Sequence, residues 1–384
     1  MVETISERMA RCSNRPAGFD YMRIVLAVSV VACHSINVSF GRQTAAQVWQ
    51  GPFRPVLAII LPMFFCLSGF LVAGSLERCK SMISFVGLRV LRLVPALAVD
   101  TLIAAFLLGP IFTTLPLRAY FTDPLFPRYF INILGHPQYL LPGVFATNPF
   151  PAIVNDQLWA LPYELLCYLV LVVLAIAGIV RSRRLFLLTV CGLVAAVVLL
   201  FASQMLARPP GTNTVTKIVL LETFLLGVVF YLYRDRIRMS STFFVIALIA
   251  AIALLAYPQE DAVAAFPIAY VTVYLGLLNP PRIALLTTGD YSYGVYLYGF
   301  PIQQSVVATF GPHPWYLSLL LALAVIAPLA AFSWWCVEKP ALRLRPHLYA
   351  LEARIMALVG GWPIGRHMVR APLGPHLAPS PARE

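Results

Sequence analysis

Residues 157–180 decide the fold class, and they read QLWALPYELLCYLVLVVLAIAGIV with a single charged residue, Glu164. A helix crosses the hydrocarbon layer of a membrane with about 20 predominantly apolar residues, so this run is long enough to span it. In lipid each backbone polar group has to be hydrogen-bonded within its own segment, which favours a helix. The run does not alternate in polarity as the strands of a membrane β-barrel do.

The composition of the whole chain agrees with a membrane location. Of its 384 residues, 60% are hydrophobic and 11% are charged, whereas soluble domains carry about 25% charged residues. We therefore predict an all-α fold, a polytopic membrane bundle of about ten transmembrane helices. The predicted spans are roughly 20–40, 56–76, 93–112, 157–180, 185–206, 216–233, 241–257, 263–279, 288–310 and 315–336.

The distribution of positive charge predicts the orientation of these spans. With the N-terminus in the cytoplasm, 22 of the 28 Lys and Arg residues fall on the cytoplasmic side and six on the other. By the positive-inside rule we expect a multi-pass protein of the inner (cytoplasmic) membrane with both termini in the cytoplasm. The same bias accounts for most of the net charge of +12. We expect no nucleic-acid partner, because no basic and aromatic nucleic-acid motif is present.

Three regions follow from this topology. Residues 1–18 form a cytoplasmic N-terminal segment, 19–340 the membrane-embedded domain, and 341–384 a cytoplasmic tail. The tail holds a short amphipathic stretch suited to the inner membrane surface, and beyond Gly360 it is rich in Pro and Gly and is expected to be disordered. The longest outer segment, about 113–156, is rich in Pro and aromatic residues, and we expect it to act as a cap.

The cysteines and histidines predict neither a disulfide framework nor a metal site. The cysteine count is odd, no CxxC motif occurs, and most of the cysteines fall inside apolar runs, where free Cys acts as a small hydrophobe. The histidines are scattered. The positions are Cys12, Cys33, Cys66, Cys79, Cys167, Cys191 and Cys336, and His34, His136, His313, His347, His367 and His376.

Ionisable residues inside membrane spans are costly, so each one is a functional candidate. His34 is the clearest, and Arg23 precedes it by eleven positions. Eleven helical steps return to within about 20° of the same face, so both side chains point one way, about 16 Å apart. The alternative is a buried histidine bonded to a neighbouring carbonyl, with Arg23 reaching to the membrane surface. The pair alone does not decide between these interpretations.

Two further spans contribute polar residues. Ser68 lies near mid-membrane beside Gly69, although small residues also serve simple helix packing. Arg89 and Arg92 open the third span on the cytoplasmic side and, three positions apart, share one helical face. Paired guanidinium groups suit a phosphorylated ligand, and the alternative is positive-inside anchoring.

The fourth span carries a carboxylate, Glu164, about 10 Å in from its outer edge. An unpaired carboxylate at that depth has to be neutral or partnered. We expect His34, at similar depth, to be its partner. The alternative is a structural hydrogen bond near the helix end at Pro162.

Taken together, these segments resemble acyltransferase family 3, the membrane acyl-CoA O-acyltransferases that include O-antigen and exopolysaccharide acetylases. Five motifs match in the family's order and cover residues 19–340. They are Phe19-Asp20-Tyr21-Met22-Arg23 with His34; Phe64-Phe65 with Ser68-Gly69-Phe70-Leu71; Arg89-Val-Leu-Arg92-Leu-Val-Pro95; Leu158-Trp159-Ala-Leu161-Pro162-Tyr163-Glu164; and Gly289-Asp-Tyr-Ser292-Tyr293-Gly294-Val-Tyr296-Leu297-Tyr298 with Val337-Glu338-Lys339-Pro340.

The chain departs from the family pattern at one position. Many members carry His after the Tyr-Leu-Tyr segment, where this chain has Gly299. A role assigned to that second His therefore does not apply here.

The resemblance implies the substrates. The donor would be cytoplasmic acyl-CoA, most often acetyl-CoA, which is a substrate and not a tightly bound cofactor. The acceptor would be a hydroxyl of a cell-surface or exported carbohydrate, such as lipopolysaccharide or another polysaccharide. Arg89 and Arg92 would bind the nucleotide end of the donor, with the thioester beside His34 and Ser68.

The resemblance also implies catalytic roles. His34 would act as general base or carry the acyl group covalently, and the sequence leaves both routes open. Glu164 would orient the ring and stabilise the imidazolium, while Arg23 would steady the donor or the developing negative charge.

Two other classes of function compete with an acyltransferase. A transporter of an envelope metabolite would also place a histidine in mid-membrane, but such proteins usually have two related halves. Here the polar residues within spans cluster in the first four, and the last six contribute mainly Glu222. A non-catalytic scaffold or sensor would not need so many polar residues at its centre.

Overall fold

The computed structural model describes residues 3–79, 81–205, 217–283 and 288–359. This part of the chain is predominantly helical. A short strand β1 (Glu3–Thr4) pairs antiparallel with β2 (Arg238–Met239), and isolated antiparallel bridges join Thr113 to Val144 and Leu140 to Ile153. The helices of the first half are α1 (Ile5–Arg11), α2 (Gly18–Gln50), α3 (Arg54–Ala58), α4 (Ile60–Arg78), α5 (Met82–Ile103), α6 (Gly109–Phe112), α7 (Leu117–Thr122), α8 (Leu125–Tyr129) and α9 (Leu161–Ile176).

The second half continues the same architecture. Its helices are α10 (Arg183–Met205), α11 (Lys217–Leu232), α12 (Ser241–Leu255), α13 (Asp261–Gly276), α14 (Ser292–Phe310), α15 (Trp315–Phe332), α16 (Lys339–Leu342) and α17 (Arg345–Val359). Shorter π turns (Ala104–Leu108, Ser333–Glu338) and 3-10 turns (Phe130–Leu134, Asp156–Ala160, Ile179–Arg181, Pro258–Glu260) join or extend them.

Each of the ten predicted spans overlaps a helix, namely α2, α4, α5 and α9 to α15. The third, predicted at 93–112, begins earlier, at Met82, and continues through a π turn and α6 to Phe112. By length and hydropathy, six helical stretches of the described residues are able to cross a membrane: Gly18–Gln50, Arg54–Arg78, Met82–Phe112, Asp156–Ile176, Arg183–Leu200 and Trp315–Ile355. Ser241–Leu255 and Asp261–Gly276 are apolar but shorter. The all-α, multi-pass membrane fold is therefore confirmed, and ten crossings stays a prediction.

Helix α11 lies inside the bundle and packs most closely against α4. An added Cβ at Gly69 would lie 2.0 Å from the carbonyl oxygen of Phe224, and one at Gly227 would lie 2.1 Å from that of Cys66. Only glycine fits at such a backbone approach, the usual way in which membrane helices pack without a hydrophobic driving force. The packing role considered for the Ser68-Gly69 pair thus belongs to Gly69.

Helix α2 is bent at Gly41, where φ is 80° and ψ is 178°. Glycine alone adopts this region without strain. An added Cβ would also lie 2.8 Å from the carbonyl oxygen of Pro149. The bend allows the last turns of α2, including Trp49, to lie over the cavity that contains His34.

Residues 113–155, called the cap below, pack over one end of the bundle. Tyr120, Tyr129 and Phe145 form its buried core. Its Asn148 Nδ2 donates to the side-chain and backbone oxygens of Gln304 in α14, at 2.8 and 2.9 Å. The segment therefore packs as a cap, one of the two roles expected of an outer segment of this length.

The amphipathic stretch predicted in the tail forms α17, which docks on the start of α5. Leu348 covers Gly87, and the buried Glu352 accepts a hydrogen bond from Ser84. The disorder predicted beyond Gly360 falls outside the described residues.

Candidate active site

Three neighbouring cavities run along the bundle from the end where α1 lies towards the cap. The first, the arginine cavity, has a volume of about 540 Å³. The second, the central cavity, is about 80 Å³, and the third, the His34 cavity, is about 200 Å³. Neighbouring cavities share lining residues: Leu71 with three arginines between the first two, and Val30, Leu61, Ala160 and Tyr296 between the last two.

The arginine cavity is strongly basic because six guanidinium groups line it and Asp20 is the one acidic residue among the described residues around it. Such a surface attracts phosphate groups. The six are Arg15, Arg23, Arg78, Arg89, Arg92 and Arg282.

Two of these arginines share one carboxylate. Arg23 Nη1 lies 2.7 Å from Asp290 Oδ2, and Arg92 also forms an ion pair with that oxygen. Ser292 Oγ donates to the other oxygen, Oδ1, at 2.6 Å. Asp290 therefore holds the two guanidinium groups together at the junction of the first two cavities and leaves one net positive charge.

Arg89 differs from its neighbour Arg92 because it has no carboxylate partner within the described residues. Its Nη2 donates to Ser75 Oγ at 2.6 Å, and its Nε is buried with no partner in that part of the chain. The guanidinium lies 5.8 Å from the ring centre of Tyr168. Arg89 thus keeps an unneutralised charge between the arginine cavity and the central cavity.

Glu164 and Ser68 meet in the central cavity. Tyr168, one turn after Glu164 in α9, donates its hydroxyl hydrogen to Glu164 Oε1. The same hydroxyl lies 3.5 Å from Ser68 Oγ. The three groups form a polar chain across from Arg89.

His34 and Asp156 meet in the His34 cavity. His34 Nδ1 lies 4.0 Å from Asp156 Oδ2, which is ion-pair range but longer than a hydrogen bond. The imidazole is mostly buried and packs edge-on against Phe300, with ring centres 5.1 Å apart. On the cap, burial together with the nearby charge of Asp156 raises the pKa of Tyr139, so that its hydroxyl remains protonated.

The turn that carries Asp156 is held from three directions. Asn155 Nδ2 donates to Asp100 Oδ2 of α5 at 3.1 Å and to the Tyr129 hydroxyl of the cap at 2.6 Å. Gln157 Nε2 donates to the carbonyl oxygen of Leu297 at 2.6 Å. These bonds fix the backbone on both sides of Asp156 and hence its position relative to His34.

The predicted site residues fall into two groups. Arg89 and Arg92, which were predicted to share one helical face, line the same two cavities, and Arg23 of α2 lines both as well. Ser68 and Glu164 join them in the central cavity. His34 lies in the next cavity. The residues that line both cavities lie between His34 and Glu164. The carboxylate beside His34 is therefore Asp156 and not the expected Glu164.

Asp156 and Asp290 were not singled out by sequence reasoning. Asp156 directly precedes the fourth span and lies eight residues before Glu164. Its place at the start of a membrane span was the signal in the sequence that could have marked it as a candidate. Asp290 lies within a motif of the C-terminal half, but its pairing with Arg23, 267 positions away, has no local signal.

Gly299, the position where many family members carry His, packs against α2. An added Cβ there would lie 2.8 Å from Val31 Cγ2. A larger side chain at this position therefore requires the Val31 side chain to shift.

Comparison with known proteins gives a consistent result. The family profile of an acyltransferase domain matches residues 17–338. The chain is 28% identical over 341 residues to an O-acetyl transferase of Shigella phage Sf6, covering 84% of this chain and 94% of the relative. It is also 28% identical over 359 residues to nodulation protein 10 of Rhizobium leguminosarum bv. viciae, covering 86% and 95%. No solved structure gives a significant match.

The matched range includes Arg23, His34, Ser68, Arg89 and Glu164, which line the three cavities. The interpretation as an enzyme is thereby confirmed over that of a transporter or a scaffold. The chain belongs to acyltransferase family 3 and is a multi-pass membrane acyltransferase.

Proposed function

We propose that this enzyme transfers an acyl group, in the simplest case acetyl, from acyl-CoA to a hydroxyl of a cell-surface or exported carbohydrate. The observation that carries the proposal is the series of three cavities that leads from six arginines to His34. The name of the phage relative, an O-acetyl transferase, supports acetyl as the group.

The charge of the arginine cavity supports a phosphorylated donor. We propose that the nucleotide end of CoA binds there, to the lining arginines that have no carboxylate partner among the described residues, namely Arg89 with Arg15, Arg78 and Arg282. The narrow central cavity of about 80 Å³ admits a thin chain, as the pantetheine arm is. The thioester would then lie between Ser68 and His34, near the wall formed by Val30 and Ala160.

The proposed chemistry is a single displacement at the thioester carbonyl. His34 takes the proton of the acceptor hydroxyl as its oxygen forms the new C–O bond. The C–S bond breaks, and the proton passes from His34 to the departing sulfur. Asp156, 4.0 Å away, stabilises the imidazolium that exists between these steps.

A covalent route uses the same groups. The thioester first acylates His34 and releases the CoA thiol, and the acceptor hydroxyl then attacks the acyl-imidazole. In either route the carbonyl oxygen gains negative charge, which Arg23 and Arg92 would stabilise from the central cavity. Because Arg23 and Arg92 line the central cavity and Asp290 leaves them one net positive charge, we assign them to this oxygen and assign the nucleotide phosphates to the other arginines of the arginine cavity.

We further propose that the arginine cavity faces the cytoplasm and that the cap faces the outer side of the inner membrane. The 22-to-6 distribution of Lys and Arg supports this orientation. The donor would then enter from the cytoplasm, and the carbohydrate would enter beneath the cap.

The direct experiment uses purified protein in lipid nanodiscs with acetyl-labelled acetyl-CoA. We expect label to appear on an added envelope polysaccharide only with wild-type enzyme. Mass spectrometry of surface glycans from cells with and without the gene tests the same conclusion in vivo. Label that stays on CoA, together with identical glycans in both strains, would contradict the proposed function.

A further inference from the structure

The His34 cavity contains buried polar atoms that lack a hydrogen-bond partner in the described part of the chain. They are His34 Nδ1, Asn37 Oδ1 and Gln157 Oε1. Buried polar atoms are nearly always paired, so three in one cavity call for an explanation. His34 already has a place in the proposed chemistry, whereas the other two have none.

Both of the other atoms are amide oxygens, and the orientation of one is fixed. Gln157 Nε2 donates to the carbonyl oxygen of Leu297 at 2.6 Å. A carbonyl only accepts, so the amide nitrogen has to point there and Oε1 is left as an acceptor. The residue itself is 1% exposed, so its Oε1 is free to accept a hydrogen bond from a donor that enters the cavity, such as a water or a ligand hydroxyl. Asn37 adds a second acceptor one helical turn from His34.

The rest of the lining narrows the class of ligand. Trp49 and Trp159 line it with aromatic side chains, and Asp156 contributes a negative charge. No Lys or Arg lies among the described residues around the cavity, so an anionic ligand would meet a carboxylate and two amide oxygens without a cation. A neutral ring with hydroxyl groups on its edge and C–H groups on its face fits this lining. The hydroxyls donate to the oxygens, and the C–H face packs on the aromatic side chains.

We propose that Asn37 and Gln157 are the specificity-determining residues that accept hydrogen bonds from acceptor hydroxyls, while the sugar ring packs on Trp49 and Trp159. The inference rests on the proposed function, because it gives that function's acceptor its binding site. The cavity volume of about 200 Å³ is below the ~300–1,000 Å³ of pockets for drug-sized ligands. The cavity therefore holds one sugar unit. The hydroxyl that receives the acyl group points towards His34.

Binding of simple sugars tests the site without any acyl transfer. Methyl glucoside, methyl galactoside, methyl mannoside and methyl rhamnoside are titrated into the full-length protein in nanodiscs, and intrinsic tryptophan fluorescence is followed. At least one glycoside is expected to bind saturably. Asn37→Leu, which removes the acceptor at similar size, should weaken its binding about tenfold, the loss of one hydrogen bond of about 1.4 kcal/mol. Trp49→Phe should weaken it by a smaller factor.

The matched control is Ser39→Ala, on the same helix. Ser39 donates to Ser318 at 3.0 Å and does not line the cavity, so its removal should leave glycoside binding unchanged.

Binding of no glycoside, or unchanged binding in both Asn37→Leu and Trp49→Phe, would overturn the inference. Equal binding of linear glucitol would overturn the role of a ring. If a glycoside binds as expected but acetyl-CoA gives no transfer, the proposed function fails and the sugar site stands. An Asn37→Leu chain that does not fold leaves the decision to Trp49→Phe.

Discussion

At the scale of single residues, the imidazole of His34 is the group on which the proposed chemistry depends. Replacing it in His34→Ala should lower the acyl-transfer rate by about 10²–10⁴-fold, the usual contribution of a general base, and further if an acyl-imidazole forms. Its Nδ1 makes no hydrogen bond within the described chain, so we expect the variant to insert and fold. Transfer rate and thermal unfolding midpoint should be measured on the same preparation. A stable variant with near-normal activity would exclude His34 as the base.

Two carboxylates allow a test of which one serves His34. Asp156→Asn keeps the shape of the side chain but removes its charge, and should lower the rate less than His34→Ala does, because Asp156 acts only by stabilising the imidazolium. Glu164→Gln is the matched control, since Glu164 is bonded to Tyr168 and lies in the central cavity. Steady-state kinetics of both variants decide the matter. A larger loss of rate in Glu164→Gln would restore the His34–Glu164 pairing that the sequence predicts.

The arginines give a third prediction, because Arg92 is neutralised by Asp290 and Arg89 is not. We expect Arg89→Gln to weaken CoA binding by roughly 10- to 150-fold, which corresponds to the 1.5–3 kcal/mol of a charge-assisted hydrogen bond. Arg92→Gln should weaken it less. Isothermal titration of CoA into detergent-solubilised protein measures both. The control is Arg181→Gln, in the turn after α9, which should bind CoA as the wild type does. Equal affinity of all three variants for CoA would indicate that Arg89 serves only to anchor the protein in the membrane.

How far these residues could be predicted depends on the kind of information needed. Helical periodicity gives depth and face along one helix. Arg89 and Arg92 line the same two cavities, whereas Arg23 and His34, predicted on one face of α2, line neighbouring ones. Periodicity gives no information on which face meets which helix. Glu164 and His34 lie at similar depths but line different cavities, and only the tertiary fold brings Asp290 to Arg23.

At the scale of elements, the bend in α2 at Gly41 positions Trp49 over the His34 cavity. Gly41→Ala would force alanine into a region of φ and ψ that only glycine tolerates, and would press its Cβ against Pro149. We expect a loss of about 1–3 kcal/mol of stability, seen as a lower unfolding midpoint. Gly192→Ala in α10 is the control, since its Cβ meets nothing within 4 Å and should be neutral or slightly stabilising. Equal midpoints for both variants would contradict a strained bend.

The same bend marks the limit of sequence reasoning about elements. All ten predicted spans are helices, because long apolar runs in lipid have few alternatives. The first was predicted to end near residue 40, yet α2 continues to Gln50. A lone glycine such as Gly41 predicts a position of low helix propensity and does not predict a bend. The bend at Gly41 lies against Pro149 of the cap, a tertiary contact that the local sequence does not indicate.

At the scale of the whole molecule, the number of crossings depends on the short helices. With 1.5 Å per residue, the 16 residues of α11 span about 24 Å and the 15 of α12 about 22 Å, less than the ~30 Å of a hydrocarbon core. Helix α11 is shielded, since twelve of its residues are buried within the protein, and so it need not match the bilayer. Helix α12 exposes apolar side chains such as Phe243 and Ile249, at 62% and 63%, as a lipid-facing helix does. Local thinning of the bilayer accommodates such a mismatch at modest cost.

We therefore predict that α12 crosses the membrane and that the termini lie on the cytoplasmic side. Reporter domains inserted beside Asp235 and after Tyr257, at the two ends of α12, should lie on opposite sides: green fluorescent protein should fluoresce at the first position and alkaline phosphatase should be active at the second. Phosphatase inserted at His136 in the cap should also be active, and at the C-terminus it should be inactive.

The arginine-rich segments around Arg183 and Asp235 predict which side each loop faces, because positive charge is retained on the cytoplasmic side. Reporters on the same side at both ends of α12 would remove one crossing. An active C-terminal phosphatase would make the number of crossings odd, and α17 could then no longer dock on the cytoplasmic start of α5.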